Sequence, residues 1–476
     1  VREHVGNRLD LTFEDRGEQQ LKNIEKRVRV YDVLLGETKN IRMPLTKSDK
    51  PSIAVLPFTN MSGDPEQEYF SDGITEDIIT DLSKISGLSV IARNTSFTYK
   101  GRAVKVQNVG QELGVEFMLE GSVRKAGPRV RVTAQLITSA DGTHIWAERF
   151  DRDLTDIFAI QDEITHAIVE QLKVQLLPQE KKAIGQAPTD NVEAYNYYLR
   201  GRDFLYRHSK RYYDLARRMF TKALELDPNY GRAYAGMALC DGLLLMTYKA
   251  DLSTEGTLEL ADKALAMESN LAIAHTARGV ALTIAHRFEE ANREFELGIA
   301  LAPTTFEVHF LSARPFFTQG NIVRAVEALE RAAEIDPLDY KAPALAIHMY
   351  RSLRRESDCT AAARKTVELG EQAAVWNPED PRPAAAVALA LLELGEKEQA
   401  RDWTRRAQAI ESEDIVTVYN IACIYSHLAE PESACDLLEK VVRESGSLLH
   451  DWIKNDSDLD GIRDHPRFQK LLAQIG

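Results

Sequence analysis

The sequence predicts an α/β module followed by an all-α solenoid, with a short β remnant at the N-terminus. Three observations predict this: a fixed repeat after residue 190, alternating strand and helix patterns from residue 51 to residue 178, and two strand patterns before residue 36. The predicted divisions are 1–35 for the remnant, 36–50 for a linker, 51–178 for the module, 190–446 for the solenoid and 447–476 for a C-terminal cap.

The solenoid is predicted from short Asp-Pro-like signals that follow helical patterns. They lie at Asp227-Pro228, Ala302-Pro303, Asp336-Pro337 and Asn377-Pro378, with polar substitutes at Glu268-Ser269, Glu411-Ser412 and Ser445-Gly446. Successive signals are 34 residues apart in four of the six steps and 41 apart in the other two. A sustained period of 34 residues with two helices per unit is typical of a tetratricopeptide (TPR) array. The pattern therefore predicts an all-α TPR solenoid of about seven units.

Residues inside each unit recur with the same period. Small residues recur at Ala216, Ala291, Ala325, Ala400 and Ala434, and large apolar residues at Phe220, Phe295, Leu329 and Leu438. Glycines lie in first helices at Gly201 and Gly279, and at the turns between helices at Gly320 and Gly395. Thr257 and Thr366 replace the alanine in the second and fifth units, where the two longer steps occur.

Composition excludes several classes of protein. The 476 residues are 44% hydrophobic and 28% charged, as in globular chains, and the net charge of −14 argues against general nucleic-acid binding. Four cysteines have no paired or metal-binding spacing, so we expect reduced, buried thiols. No apolar run reaches the roughly 18 residues of a membrane helix, and no signal peptide pattern opens the sequence. These features predict a cytoplasmic protein without a membrane span.

Two strand patterns precede residue 36, from Leu9 to Phe13 and from Val28 to Leu35, and Gly17-Glu18 is expected to end the first. The segment Asp10 to Leu35, DLTFEDRGEQQLKNIEKRVRVYDVLL, resembles the closing segment of a bacterial class III adenylate/guanylate cyclase domain. Arg27 stands where the family usually has a proline. The alternative is a strand pair that forms an edge of the next domain.

The resemblance implies what this segment lacks. The family's metal-binding aspartates, its purine-selecting pair and its Asn/Arg transition-state pair all precede the closing segment. We therefore predict no catalytic, cofactor-binding or metal-binding residue here. Magnesium, and a homodimer formed through the catalytic domain, are implied only for a complete cyclase domain.

The pattern from Pro51 onwards predicts a mixed α/β domain. Strands are expected at Ser52–Phe58, Leu88–Ala92, Val115–Arg124, Val130–Ile137 and His144–Phe150, and helices after Pro65, at Val104–Leu113 and at Leu154–Leu176. The stretches SIAVLPFTNMSGDPEQEYFSDGITEDIITDLSKI and FMLEGSVRKAGPRVRVTAQLITSADGTHIWAERFDRDLTDIFAIQDEI resemble the TolB amino-terminal-like domain. This resemblance implies a ligand- or partner-sensing module without catalytic residues.

Two acidic patterns in the sequence have features of metal sites. Asp72 and Glu76 share a helix face, but such charges are more often a solvated face. The stretch from Asp456 to Gly461, DSDLDG, begins like a calcium-binding loop, but Arg467 occupies the twelfth position, which should be glutamate. We predict no metal site at either place.

The inner surface of the TPR array is the predicted binding site for a protein or peptide partner. By TPR register, first-helix side chains line this groove. The predicted partner-binding residues are Glu307, Phe310, Arg314 and Phe317 in the fourth unit and Tyr419, Cys423, Ser426 and His427 in the seventh. Aromatic side chains beside Arg and Glu suit peptide capture. Packing of Phe310 and Phe317 between repeats remains an alternative, and Pro315 is expected to kink the same helix.

The sequence therefore favours a non-catalytic, regulatory and protein-binding portion of a cyclic-nucleotide signalling protein. One alternative is part of an active adenylate cyclase, completed by sequence or by a subunit that is not present here. Another is a stand-alone TPR adaptor.

Overall fold

The computed structural model describes residues 12–19, 28–34, 50–102, 104–178, 180, 187–207, 209–410 and 414–475. Residues 1–50 form one compact unit and residues 51–476 form a second. The predicted linker, apart from Lys50, and the repeat signal at Glu411-Ser412 lie outside the described residues.

In the first unit, two strands pair antiparallel: β1 (Thr12–Gln19) and β2 (Val28–Leu34). The register matches Thr12 with Leu34 and Gln19 with Val28, and it shifts between Asp15 and Glu18. The expectation that Gly17-Glu18 ends the first strand is wrong, because the strand continues through a local irregularity of the kind that glycine often marks.

The second unit begins with a mixed sheet. Its strands are β3 (Ser52–Val55), β4 (Thr59–Asn60), β5 (Ser89–Val90), β6 (Phe117–Ala126), β7 (Arg129–Thr138) and β8 (His144–Asp153). The strand order is β5-β3-β6-β7-β8, with β4 also paired to β6. The first three strands of this order are parallel, and β6, β7 and β8 are antiparallel, so the mixed pairing predicted from the sequence is confirmed.

Helices cover both faces of this sheet: α1 (Glu68–Ser83), α2 (Arg93–Phe97), α3 (Val106–Leu113) and α4 (Ile157–Gln171). The apolar stripes of α1 and α4 pack on one face, and α3 packs on the other. A short 3₁₀ turn precedes α1, with Pro65 in its first position and Asp64 as the N-cap. Helix α4 ends before the expected Leu176, where Lys173 adopts a positive φ of 53°.

Seven antiparallel helix pairs follow within the described residues. They are α5 (Val192–Leu205) with α6 (Lys210–Leu226), α7 (Gly231–Thr247) with α8 (Thr254–Met267), α9 (Ala272–Ile284) with α10 (Phe288–Leu301), α11 (Phe306–Thr318) with α12 (Ile322–Ile335), α13 (Lys341–Ser352) with α14 (Glu356–Trp376), α15 (Pro381–Glu393) with α16 (Lys397–Ala409), and α17 (Ile415–His427) with α18 (Pro431–Glu444). Two helices close the chain, α19 (Ser447–Asn455) and α20 (Pro466–Ile475), separated by a 3₁₀ turn at Ser457–Ile462. The predicted fold class is confirmed.

The recurring residues have the roles that their period predicts. The five recurring alanines are fully buried, and so are the two phenylalanines and two leucines, at 1% exposure or less. A Cβ on Gly201 would lie 2.6 Å from the Phe220 ring, and one on Gly279 would lie 2.7 Å from the Phe295 ring. Only glycine therefore lets the large side chain of each second helix reach its partner helix.

The two longer units differ from the others in helix length. Helix α7 has 17 residues and α14 has 21, against 13 or 14 in most of the other solenoid helices. The threonines that replace alanine are buried here, and each hydroxyl donates to a carbonyl one helical turn earlier. Thr257 Oγ1 lies 3.1 Å from Ser253 O, and Thr366 Oγ1 lies 2.9 Å from Ala362 O. These bonds satisfy the buried polar groups.

The second unit of the solenoid contacts its C-terminal end. The amide of Gly446 donates to Thr247 O at 3.1 Å, and that of Lys249 donates to Glu444 O at 3.0 Å. Tyr248 and Ser445 form an antiparallel bridge between these bonds. The later units therefore curve back onto the second and enclose a central space.

The four cysteines are free and buried, as predicted. Among the described residues, none of the helices is long and apolar enough to cross a membrane.

Candidate functional site: the central cavity of the solenoid

A cavity of about 140 Å³ lies at the centre of the curved solenoid. Helices α7, α11, α13, α15 and α17 contribute most of its wall, Tyr213 of α6 adds to it, and α19 of the C-terminal cap closes one side. Apart from α6 and α19, these are first helices of TPR units, whose register turns one side of each helix inward. We call this space the central cavity.

Helix α11 supplies three adjacent side chains to the central cavity. Phe310, Arg314 and Phe317 lie at spacings of four and three residues, which place them on one helix face. The helix continues through Pro315 to Thr318. The TPR register thus explains why these three side chains share one wall.

Aromatic rings form much of the wall around Arg314. The Phe317 and Trp452 ring centroids are 5.9 Å apart, with the rings nearly perpendicular at 87°, and Tyr419 lies 6.0 Å from Trp452. On the opposite side, Tyr213 and Tyr248 are 6.4 Å apart. Edge-to-face geometry is favourable for such pairs and holds the rings in place.

The two carboxylates of the cavity have partners. Asp414 accepts hydrogen bonds from the Tyr248 hydroxyl at 2.8 Å and the Thr417 hydroxyl at 2.6 Å. Asp456 accepts from the Tyr419 hydroxyl at 2.7 Å and from the amide of Asp458 at 2.9 Å. Burial raises the pKa of Asp456, and the neighbouring Asp458 adds to that effect.

Among the residues that the structure describes, Arg314 has no carboxylate ion-pair partner. Its Nε atom is buried and has no hydrogen-bond partner, and no ion pair of its side chain occurs among the described residues. Its guanidinium carbon lies 5.7 Å from the Phe310 ring centroid and 6.0 Å from that of Trp452. Burial lowers the pKa of Arg314 from its ordinary value, because the charged form loses water.

Asp458 lies behind the cavity and is held by three basic side chains. His348 Nδ1 is 2.6 Å from it, His427 Nε2 is 2.8 Å away, and Arg351 forms a further ion pair. Burial opposes the charged form of His348, but Asp458 outweighs it and raises the histidine pKa.

His348, Asp456 and Asp458 could together hold a metal ion, since their ligand atoms lie within 4.8 Å of one another. The contact between Arg351 and Asp458 places a fixed positive charge in the same cluster, so an ion-pair network accounts for these residues without a metal.

Only some of the residues predicted to bind a partner lie at the central cavity. Phe310, Arg314, Phe317 and Tyr419 line the central cavity. Glu307 instead accepts a hydrogen bond from Asn94 of the α/β module at 3.0 Å, and burial raises its pKa. Cys423 and Ser426 are buried, at 1% and 3% exposure, and His427 is engaged with Asp458. The role of all eight residues in partner binding stays a prediction.

Several residues of the cavity wall are not among those predicted from the sequence. Tyr340, His348, Arg382 and Asn420 continue the inner surface through the fifth to seventh units, and Trp452 comes from the cap. The same TPR register, applied to α13 and α15, would have found His348 and Arg382. No repeat pattern indicates Trp452, because it lies outside the array.

A second group of charged side chains joins the α/β module to the solenoid. Asp77 Oδ1 lies 2.8 Å from Nη1 of Arg202, and Glu76 Oε2 lies 2.9 Å from Nε of Arg93. Asp72, Glu76 and Asp77 are all buried, so the interpretation of this helix as a solvated face is wrong. Arg202 of the solenoid pairs with Glu76 and Asp77, whereas Lys100 of the α/β module pairs with Asp72.

The fold therefore defines an α/β module that is followed by a TPR-type solenoid with a central cavity. A family model described as the second domain of HilA/YgeH-like transcriptional regulators matches residues 48–167. Putative adenylate cyclase 3 of Rhizobium meliloti (strain 1021) is 43% identical over 300 residues, which make up 61% of this chain and 51% of that protein. The chain spans about half the length of this curated relative. The predicted similarity to a bacterial protein named as an adenylate cyclase is confirmed, and the cyclase domain itself stays a prediction.

Solved helical-repeat structures are also similar. The human IFIT1 dimer with m7Gppp-AAAA has a TM-score of 0.44 and 15% identity, covering 67% of this chain and 73% of that one. Pseudomonas aeruginosa PilF has a TM-score of 0.33 and 16% identity, covering 52% and 98%. These likenesses concern the fold alone.

Proposed function

We propose that this chain is the regulatory, partner-binding portion of a cyclic-nucleotide signalling protein, and that the central cavity is its binding site. The observation that carries the proposal is the 43% identity to a protein named as an adenylate cyclase. The matched part of this chain extends over 300 residues, more than the 189 residues that precede the predicted solenoid, so it includes part of the solenoid.

The cavity supports a binding role on physical grounds. A TPR array buries its repeats against each other and leaves its inner face for partners. Here that face carries aromatic side chains and an arginine, the residue types that dominate interface energetics. Tyr195 and Leu199 of the first solenoid helix pack in the core of the α/β module. A conformational change in the solenoid can therefore reach the module through packed side chains. The TolB-like sensing role of the module belongs to the same proposal.

The test compares cyclic AMP synthesis by the complete gene product in a bacterial host that lacks its own adenylate cyclase. Three proteins are compared: wild type, Arg314→Met in the cavity, and Arg331→Met as a control. Arg331 is exposed on the outer helix α12 and pairs with Glu334 at 2.8 Å. In parallel, the 476-residue chain is purified and incubated with ATP and magnesium or manganese.

We expect Arg314→Met to change cyclic AMP production while Arg331→Met does not, and the 476-residue chain alone to give no signal above a boiled sample. Cyclic AMP formation by that chain alone would overturn its non-catalytic role. Equal production by wild type and Arg314→Met, with both proteins folded, would overturn the regulatory role of the cavity.

A further inference from the structure

We propose that the central cavity binds a small organic carboxylate that carries one ring-sized apolar group. This inference rests on the proposed function and deepens it, because it assigns a ligand class to the same cavity. Two sources could supply such a ligand: a free metabolite or the C-terminal residue of a peptide. Both carry a carboxylate next to an aromatic or aliphatic group.

The carboxylate is inferred from Arg314. A buried guanidinium normally pairs with a carboxylate, because an uncompensated buried charge is costly. Other cations of the wall have such partners: Arg382 Nη2 lies 2.6 Å from Asp380, and Lys341 Nζ lies 2.9 Å from Asp339. Arg314 has aromatic neighbours but forms no ion pair with a carboxylate in the part of the chain that the structure describes, and its Nε is buried without an acceptor there. A ligand carboxylate would supply the missing acceptor and charge.

A second unpartnered donor lies beside the first. The Trp452 indole Nε1 is buried without a hydrogen-bond partner, and its ring faces both Arg314 and Phe317. Buried polar groups in folded proteins are nearly always hydrogen-bonded, so an unsatisfied donor on each of two side chains of one wall favours a polar ligand there. The indole and guanidinium N–H groups could both donate to one ligand anion.

The apolar group is inferred from volume and lining. An engineered apolar cavity of about 150 Å³ binds benzene, and the central cavity measures about 140 Å³. Phe317, Leu389 and Met349 supply apolar surface beside the cations. One ring with its carboxylate would fit this volume.

Calorimetric titration of the full chain tests the inference, with phenylacetate as the probe and neutral phenylacetamide as its isostere. The proteins are wild type, Arg314→Met, Arg314→Lys and Arg331→Met, each checked for folding by circular dichroism. Met replaces a buried charge by an apolar chain of similar length, which folded proteins tolerate. Arg314→Lys keeps the charge but loses the planar fork that matches a carboxylate.

We expect phenylacetate to bind wild type and Arg331→Met equally, and Arg314→Met to weaken binding by about tenfold or more. Arg314→Lys should lie between, and phenylacetamide should bind at least about tenfold more weakly than phenylacetate. Ligand binding should also change tryptophan fluorescence, and Trp452→Phe should remove that change while the other three tryptophans remain.

A further arm distinguishes the two sources. The dipeptide Ala-Phe is titrated as the free acid and as the C-terminal amide. Tighter binding of the free acid than of phenylacetate indicates a peptide terminus, and the reverse indicates a free metabolite. Equal binding of phenylacetate and phenylacetamide, no binding of either acid, or binding of inorganic phosphate alone would overturn the proposal. These outcomes do not depend on cyclic AMP synthesis, so this inference and the proposed function can fail separately.

Discussion

The amide of Gly446 donates a hydrogen bond to the carbonyl of Thr247 across 3.1 Å, which joins the end of the seventh TPR unit to the second. Two such bonds and the bridge between Tyr248 and Ser445 close the curve of the solenoid. Without this contact, the inner helix faces would form an open groove instead of a cavity with a cap.

The first prediction concerns this closure. A Cβ on Gly446 would lie 2.4 Å from Leu245 O and 2.9 Å from Tyr248 O, so Gly446→Ala forces the two segments apart. The backbone φ of −85° suits alanine, and the cost therefore comes from the contact alone. We expect a loss of ~1–3 kcal/mol in the free energy of unfolding, measured by urea denaturation. Glu444→Gln, at an exposed side chain next to the closure, should change it little; equal stability of the two variants would contradict the closure.

The second prediction concerns the ion pair between the α/β module and the solenoid. Arg202 bonds Asp77 at 2.8 Å and the Gly73 carbonyl at 3.1 Å, with its side chain 10% exposed. Arg202→Met leaves the buried Asp77 carboxylate without its cation, so we expect a loss of ~3–5 kcal/mol in unfolding free energy. The control is Arg207→Met in the exposed pair with Asp203, where about 0.5 kcal/mol or less is expected. Similar losses in both variants would show that the buried pair contributes no more to the unfolding free energy than the exposed pair does.

The third prediction is a pH dependence at Asp336. Burial, and then the charge of Asp339, raise the pKa of Asp336 to about 7 from an ordinary value of 3.8. The folded state therefore holds a proton that the unfolded state releases between pH 4 and pH 7. Because the folded pKa is the higher one, this group's stabilising contribution is full below about pH 4 and is lost as pH rises to 7.

Asp336→Asn should remove that loss, since the amide oxygen can still accept from Thr95 Oγ1, which lies 3.2 Å away, and from the Leu338 amide. The check is the melting temperature of wild type and Asp336→Asn at pH 5 and pH 7.5. We expect the melting temperature of the variant, relative to that of wild type, to be higher at pH 7.5 than at pH 5. A constant difference between the two proteins would show that Asp336 does not titrate in this range.

The fourth prediction compares two adjacent phenylalanines of α11. Phe316 is 2% exposed and packs 5.7 Å from Phe295 in the core between repeats, whereas Phe317 is half-buried at the cavity. Phe316→Ala should cost ~3–5 kcal/mol of stability. Phe317→Ala should cost ~0.5–1.5 kcal/mol, chiefly its aromatic pairing with Trp452. Chemical denaturation distinguishes the two values, and a larger loss for Phe317 would assign it to the core and remove it from the cavity wall.

The repeat pattern by itself determined the helix pairs and the contacts within each unit. The contacts of Gly201 with Phe220 and of Gly279 with Phe295 each join the two helices of a single unit. The repeat pattern defines these helix pairs, so it also predicts which residues meet within them. The alternation of apolar residues likewise determined the strands and helices of the α/β module, because local periodicity reports which face of an element is buried. The register also placed Phe310, Arg314 and Phe317 on one inner face.

Tertiary structure alone decided which inner-face residues meet and which charges are buried. The same register that predicted a shared groove could not distinguish Glu307, which bonds Asn94 of the α/β module, from Arg314, which faces the cavity. Glu76 and Asp77 lie on a helix face that follows a solvated pattern, but Arg202 of the solenoid pairs with both of them and they are buried. Trp452 belongs to no period, and Gly446 ends the last one, but the contacts of both residues depend on how much each repeat rotates against the next. That rotation accumulates over the whole array, so it sets contacts between distant segments that no local pattern encodes.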